Sequence, residues 1–177
     1  MDNSLEELLL KNLKSIPDFP VKGVLFRDVT TLYGNPECLR AMVAAIAAIY
    51  RDCGITKVLG IESRGFIAGA AIACELGAGF VPVRKPGKLP RDVYFATYQK
   101  EYGPDTIEIH KDALTSDDVV LIHDDLLATG GTSAATVELM SHFGIEKIYA
   151  NYIIELTSEF PEARAKVGVP VTSLLKL

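Results

Sequence analysis

Residues 119–133 read VVLIHDDLLATGGTS. An apolar run ends in two adjacent aspartates, Asp124 and Asp125, and a loop of small residues follows at once. The run is continuous rather than alternating, which suits a strand buried on both faces of a parallel sheet. Gly130 and Gly131 allow close backbone approach, while Ala128, Thr129 and Thr132 keep the loop narrow. A helix starting near Thr132 aims its unpaired N–H groups and the positive end of its dipole at the same spot. That half suits a phosphate monoester. The carboxylates would repel an anion and want another partner: sugar hydroxyls that donate to them, or Mg²⁺ held through water. A 5-phosphorylated ribose satisfies both halves, with its phosphate in the loop and its 2- and 3-hydroxyls at Asp124 and Asp125. In isolation a DD or GG pair reads as a solvated turn before a helix cap; the fifteen-residue arrangement favours the ligand. GxxxxGK[ST] and GxGxxG are both absent, so neither a nucleoside triphosphatase nor a dinucleotide site is supported.

Working outward, the order of elements fits such a sheet. Ser4 and Glu7 form a capping box opening an amphipathic helix to about Leu13. SIPDFPVKG breaks it, and VLFRDVTTLYG follows as an extended or looped segment. Asn35-Pro36 starts a helix reaching Asp52, with Leu39, Met42, Val43, Ile46 and Ile49 on one face. KVLGIE (57–62) is a buried strand, 66–76 an Ala-rich helix and GFVPVRK (79–85) the next strand. Residues 65–83 are apolar enough to suggest a membrane span, but Glu75 and Pro82 favour a buried helix and strand. The segment 86–104 is irregular, with a hairpin as one option, and DTIEI (105–109) is strand-like. After the loop come a helix over 132–143, a strand over 146–155, a short helix near 158–166 and a strand around 171–175. Strand–helix alternation with apolar strands predicts an α/β fold, a parallel sheet covered by helices on both faces. Its ligands lie beyond the carboxyl ends of the strands, where ESRG, the 86–104 segment and DDLLATGGT all fall.

The 177 residues suit one domain. A net charge of −5 gives no broad field for nucleic acid or an anionic membrane surface. Any phosphate must therefore be held by a local cluster. Three cysteines without a CxxC pair, and no basic-then-apolar stretch at the start, read as reduced thiols in a cytoplasmic protein. The scattered His110, His123 and His142 offer no His/Cys metal set.

VVLIHDDLLATGGT resembles the 5-phosphoribosyl 1-diphosphate (PRPP) signature of the type I phosphoribosyltransferases, in the form found in adenine-using members of that family. The resemblance extends over PDFPVKGVLFRDVT, GIESRGF, VRKPGKLP, EYGPDTIEIHKDAL and the final TSLLKL. Three positions depart from it: His123 and Gln99-Lys100, where aliphatic residues are more usual, and Leu25, where Val or Ile is.

The resemblance implies a type I phosphoribosyltransferase fold, a Rossmann-like core with an N-terminal base-binding hood (about 1–34) and a flexible lid (about 86–104). It implies reaction of adenine with PRPP to give AMP and diphosphate, Mg²⁺ as cofactor, and a homodimer. Glu62, Ser63 and Arg64 become the diphosphate loop, which in similar enzymes often holds a cis peptide. Arg84, Lys85 and Lys88 add cations, the arginine reaching a neighbouring subunit. Phe26 would stack on the purine, and Val24, Leu25 and Arg27 would line the base pocket, with backbone groups of Val24 and Arg27 reading its amino edge. Glu101 and Tyr102 lie on the lid, with Glu101 the candidate for purine proton transfer. Outside the resemblance, Arg64, Phe26 and Glu101 also have plain readings as a surface arginine, a core aromatic and an exposed glutamate. Two rivals keep the fold: an enzyme for a 6-oxopurine or orotate, and a PRPP-sensing regulator without turnover.

Overall fold

The computed structural model describes residues 3–100 and 103–177. Helix α1 (Asn3–Asn12) leads into a short antiparallel pair, β1 (Lys14–Pro17) and β2 (Leu25–Asp28), with Ile16 opposite Phe26. The residues that follow, expected to be extended or looped, instead form a single turn, α2 (Thr30–Tyr33), because the Asp28 carboxylate accepts from the Thr30 N–H at 3.0 Å and from its hydroxyl at 2.6 Å. Helix α3 (Pro36–Tyr50) starts as expected: the Asn35 side chain accepts from the N–H groups of Glu37 and Cys38, with proline at the first helical position. Its buried stripe is Cys38, Met42, Ile46 and Tyr50, and Ile49, assigned to that face from the sequence, is 44% exposed.

Strand β3 (Lys57–Ile61), helix α4 (Gly65–Leu76) and strand β4 (Gly79–Val83) form the first parallel unit. Next come β5 (Val93–Lys100) and β6 (Gly103–His110), an antiparallel hairpin in continuous register from Val93↔His110 to Lys100↔Gly103. The segment expected to be a lid is thus built on a folded base. Ala96, Ile107 and Ile109 are buried, and reciprocal backbone bonds between Arg84 and Glu108 (2.9 and 2.8 Å) tie the hairpin to the chain just beyond β4.

Strand β7 (Val120–Leu127) runs past the apolar stretch and includes both aspartates, since its far edge keeps pairing after the near edge stops. Its pairing with β3 ends at His123, whereas its pairing with β8 (Ile148–Glu155) continues to Leu127↔Glu155. Between them lie α5 (Gly131–Met140) and one 3₁₀ turn. Helix α6 (Ala163–Val167) is shorter than the expected 158–166, because a residue preceding proline, here Phe160, disfavours helical dihedrals. Strand β9 (Val171–Lys176) closes the order β4-β3-β7-β8-β9.

All five strands are parallel, with one core on each face. Helices α1 to α4 cover one, built around Met42, Ile46, Ile72 and Leu121; α5, α6 and the β5–β6 hairpin cover the other, around Leu59, Ile122, Leu139 and Tyr152. From β3 the chain runs outward to β4, then returns to β7 on the other side. That reversal opens a crevice beyond the carboxyl ends of β3 and β7. Among the described residues no helix is long and apolar enough to cross a membrane.

Candidate active site

The early end of the β3–β7 pairing exposes one edge of β7 at the acidic pair. Helix α4 starts against that edge so tightly that a Cβ on Gly65 would lie 2.6 Å from the His123 carbonyl oxygen and 3.1 Å from Asp124 Oδ1. Asp125 is buried and Asp124 half-buried; Asp124 Oδ1 accepts from the Asp125 N–H at 2.9 Å. Burial pushes both carboxyls up from the usual carboxylate range. The neighbouring carboxylate raises Asp124 further, and Arg64 partly restrains the rise in Asp125. Such a pair gains from any ligand that donates hydrogen bonds or positive charge to it.

Beyond β7 the chain turns at Gly130, whose φ of +75° lies in the left-handed region and whose missing Cβ leaves room for the Ala163 carbonyl, 2.8 Å from where that atom would sit. The loop closes a recess of about 90 Å³ lined by Asp124 and residues 126–133, Ala128, Thr129, Gly130, Gly131 and Thr132 among them. It faces the start of α5, where unpaired N–H groups collect. The recess contains the loop residues expected from the sequence to cradle an anion, with one carboxylate in its wall.

The Glu62-Ser63 peptide is cis. Glu62 gathers cations: Lys88 Nζ bonds to Oε1, the Lys85 N–H donates to Oε2 at 2.8 Å, and Arg84 Nε lies 3.3 Å from Oε2. Burial alone would raise its pKa, but these donors outweigh it and hold the carboxyl at about 2. Arg64 stands apart from this cluster. Its Nε lies 2.7 Å from Asp125 Oδ2 and its guanidinium carbon 5.5 Å from the Phe26 ring centroid, so it bridges the acidic pair and the hood.

Phe26 belongs to neither core. It is half-buried, edge-to-face with Phe19 at 5.1 Å, while Val24 and Leu25 beside it are each 41% exposed. Arg27 Nη1 donates to Ser15 Oγ at 2.6 Å. Lys85 pairs with Asp105 on the hairpin. Glu101 and Tyr102 lie outside the described residues.

Two participants carried no signal in the sequence pattern. Tyr33 donates its hydroxyl to the Arg64 carbonyl at 3.3 Å, so α2 braces the 62–65 loop from the hood side. Tyr98 joins the hairpin to the cradle: Thr132 Oγ1 donates to its hydroxyl at 2.8 Å, and that hydroxyl donates to Asp105 Oδ2 at 3.1 Å. Both are tyrosines whose role comes from a contact distant in sequence, which neither periodicity nor motif spacing encodes.

An acidic strand end and a glycine-turned loop before a helix start meet at the switch point of a parallel sheet, an arrangement consistent with the phosphoribosyltransferase class. Residues 28–164 match the family model for the phosphoribosyl transferase domain, and the chain belongs to that family. It is 62% identical over 177 residues to an adenine phosphoribosyltransferase of Phocaeicola vulgatus, a match covering 97% of this chain and 99% of the relative. The crystal structure of adenine phosphoribosyltransferase from Rhodothermus marinus superposes with a TM-score of 0.92 at 46% identity, covering 99% of this chain and 100% of that one. The Saccharomyces cerevisiae enzyme, complexed with D-2,5-dideoxy-2,5-imino-altritol 1,6-bisphosphate and adenine, gives 0.92 at 38% identity, covering 98% and 99%. Within the family, the chain stands with the adenine phosphoribosyltransferases.

Proposed function

We propose that the protein transfers the 5-phosphoribosyl group of PRPP to adenine, giving AMP and diphosphate. The observation that carries the reading is the convergence on Arg64 of three pieces from distant parts of the chain: the acidic pair, the 62–65 loop and the aromatic hood residue Phe26.

Breaking the ribose C1–O bond builds positive charge on the sugar ring and negative charge on the departing diphosphate, so the protein's task is positioning and charge stabilisation. The cradle 128–132 takes the 5-phosphate, and Asp124 and Asp125 accept hydrogen bonds from the ribose 2- and 3-hydroxyls. Lys88 beside Glu62 and the backbone of the 62–65 loop hold the leaving group. Phe26 offers a face to the purine ring. Glu101 takes the purine ring proton as N9 attacks. A backbone carbonyl reading adenine's amine would face an acceptor in any 6-oxopurine, leaving an unmatched pair.

Among the described residues no three or more His, Cys, Asp or Glu side chains gather as a metal site. The chemistry of the acidic pair nonetheless fits Mg²⁺ held through water, since two desolvated neighbouring carboxylates gain from a nearby cation. Bound with the diphosphate, Mg²⁺ supplies neutralisation of leaving-group charge. The protein acts as a homodimer in which Arg84, at the end of β4, serves the neighbouring subunit's diphosphate site. Its three free thiols fit a reducing, cytoplasmic setting.

The doubly substituted variant Asp124→Asn, Asp125→Asn tests the reading. Amides keep the shape but lose the charge-assisted acceptors. KM for PRPP is expected to rise by at least an order of magnitude while the fold survives, because the change also removes repulsion between buried carboxylates. Wild-type KM and kcat would remove the acidic pair from the ribose site.

A further inference from the structure

We propose that Lys166, presented by α6, is a further binding residue for the 5-phosphate. The inference rests on reading residues 128–132 as the phosphate loop. A phosphate monoester carries close to two negative charges at neutral pH. The recess meant to hold it contains no lysine or arginine, and Asp124 forms part of its wall. Arg64 is committed to Asp125, Lys85 to Asp105 and Lys88 to Glu62. Backbone N–H groups, a helix dipole and the hydroxyl side chains of Thr129, Thr132 and Ser133 would have to hold a dianion beside Asp124, with no cationic side chain in the wall.

Helix α6 supplies the missing charge at short range. Ala163 seals the Gly130 side of the loop through its carbonyl. One turn on, Lys166 Nζ lies 3.8 Å from where a Cβ on Gly131 would sit, in a groove bordering the recess. Glu138 lines the same groove, yet among the described residues the Lys166 ammonium has no ion-pair partner. The short helix is fixed in place. Arg164 Nε donates to Glu155 Oε1 at 3.0 Å, its Nη2 pairs with Oε2, and its Nη1 donates to the Val171 carbonyl at 2.6 Å. Ser173 Oγ donates to the same Glu155 carboxylate at 2.7 Å. Glu155 is paired with Leu127 at the end of β7, directly before the loop. The clamp therefore holds α6 and the loop in one frame, while the lysine's four-carbon stem leaves its charge free to follow the phosphate.

The test is calorimetric binding of ribose 5-phosphate, with diphosphate as the control ligand, to wild type, Lys166→Gln, Lys166→Arg, Lys166→Glu and Thr132→Val. Lys166→Gln is expected to weaken ribose 5-phosphate binding and raise KM for PRPP by about 3- to 10-fold. Lys166→Glu should weaken it more and Lys166→Arg less. Diphosphate affinity should stay constant, and added salt should shrink the difference between wild type and Lys166→Gln. If Lys166→Gln and Lys166→Glu bind ribose 5-phosphate like wild type while Thr132→Val binds it more weakly, the loop reading stands and the role of Lys166 is overturned. If Thr132→Val is also unchanged, the loop reading falls and this inference with it.

Discussion

Arg64 shows how a residue's role depends on neighbours that the sequence does not display. From the sequence it belongs with Glu62 and Ser63 as a diphosphate ligand; in the fold its guanidinium lies between Asp125 and Phe26. From there it offsets charge in the acidic pair and faces the Phe26 ring. Asp124, Asp125 and the 128–132 loop were legible because their chemistry is local, a strand, two acids and small residues in one run. Tyr33 and Tyr98 were not, because each acts through a partner 31 or 34 residues away. The residue-scale prediction concerns Glu101. A carboxylate taking a ring proton contributes on the order of 10² to 10⁴ in rate. Glu101→Gln should therefore lower kcat by about that factor in single-turnover measurements while PRPP affinity barely changes. A wild-type single-turnover rate would show that some other group moves the proton.

At the scale of elements, strands and caps were the most legible features. The Asn35-Pro36 start of α3 and the β3–α4–β4 unit fall within a few residues of expectation, because capping and apolar runs are written locally. The α3 face was harder to read: helical periodicity placed Ile49 on it, whereas Tyr50 is the buried residue, its hydroxyl donating to the Ala150 carbonyl at 3.1 Å across the core. In the 86–104 segment prolines and glycines obscure the pattern, and of the options open there the hairpin is the one formed from Val93 on, with Ala96 against the core. The joint between loop and α6 carries the element-scale prediction. Gly130→Ala places a Cβ against the Ala163 carbonyl at a positive φ, so stability should fall by about 1–3 kcal/mol. KM for PRPP should rise more than KM for adenine. Urea unfolding and steady-state kinetics check both, and a variant matching wild type in both would separate α6 from the loop.

Across the whole molecule, one line of buried polar groups ties the sheet together. His123 Nδ1 lies 3.1 Å from Asn151 Oδ1, Asn151 Nδ2 donates to Thr172 Oγ1 at 2.8 Å, and Thr172 lies 2.7 Å from the Tyr50 hydroxyl. The line joins β7, β8, β9 and α3. Burial pushes His123 down to about 4, against a smaller opposing effect of its bond to Asn151. Its folded value thus lies below its unfolded one, near 6.5. As pH falls from about 6.5 towards 4, the unfolded chain takes up a proton that the folded protein refuses, and stability is lost, by up to about 3 kcal/mol. Urea unfolding between pH 7 and pH 4.5 should show this loss, with a shallower slope in His123→Leu; equal slopes would assign the acid sensitivity elsewhere.

The central claim is that this fold and site transfer phosphoribose to adenine. The most direct measurement is kcat/KM with saturating PRPP and Mg²⁺ for adenine, hypoxanthine, guanine and orotate, with nucleotide and diphosphate quantified as products. AMP and diphosphate should form in equal amounts, with adenine preferred by orders of magnitude. Comparable turnover of hypoxanthine, or PRPP binding without any nucleotide formed, would contradict it.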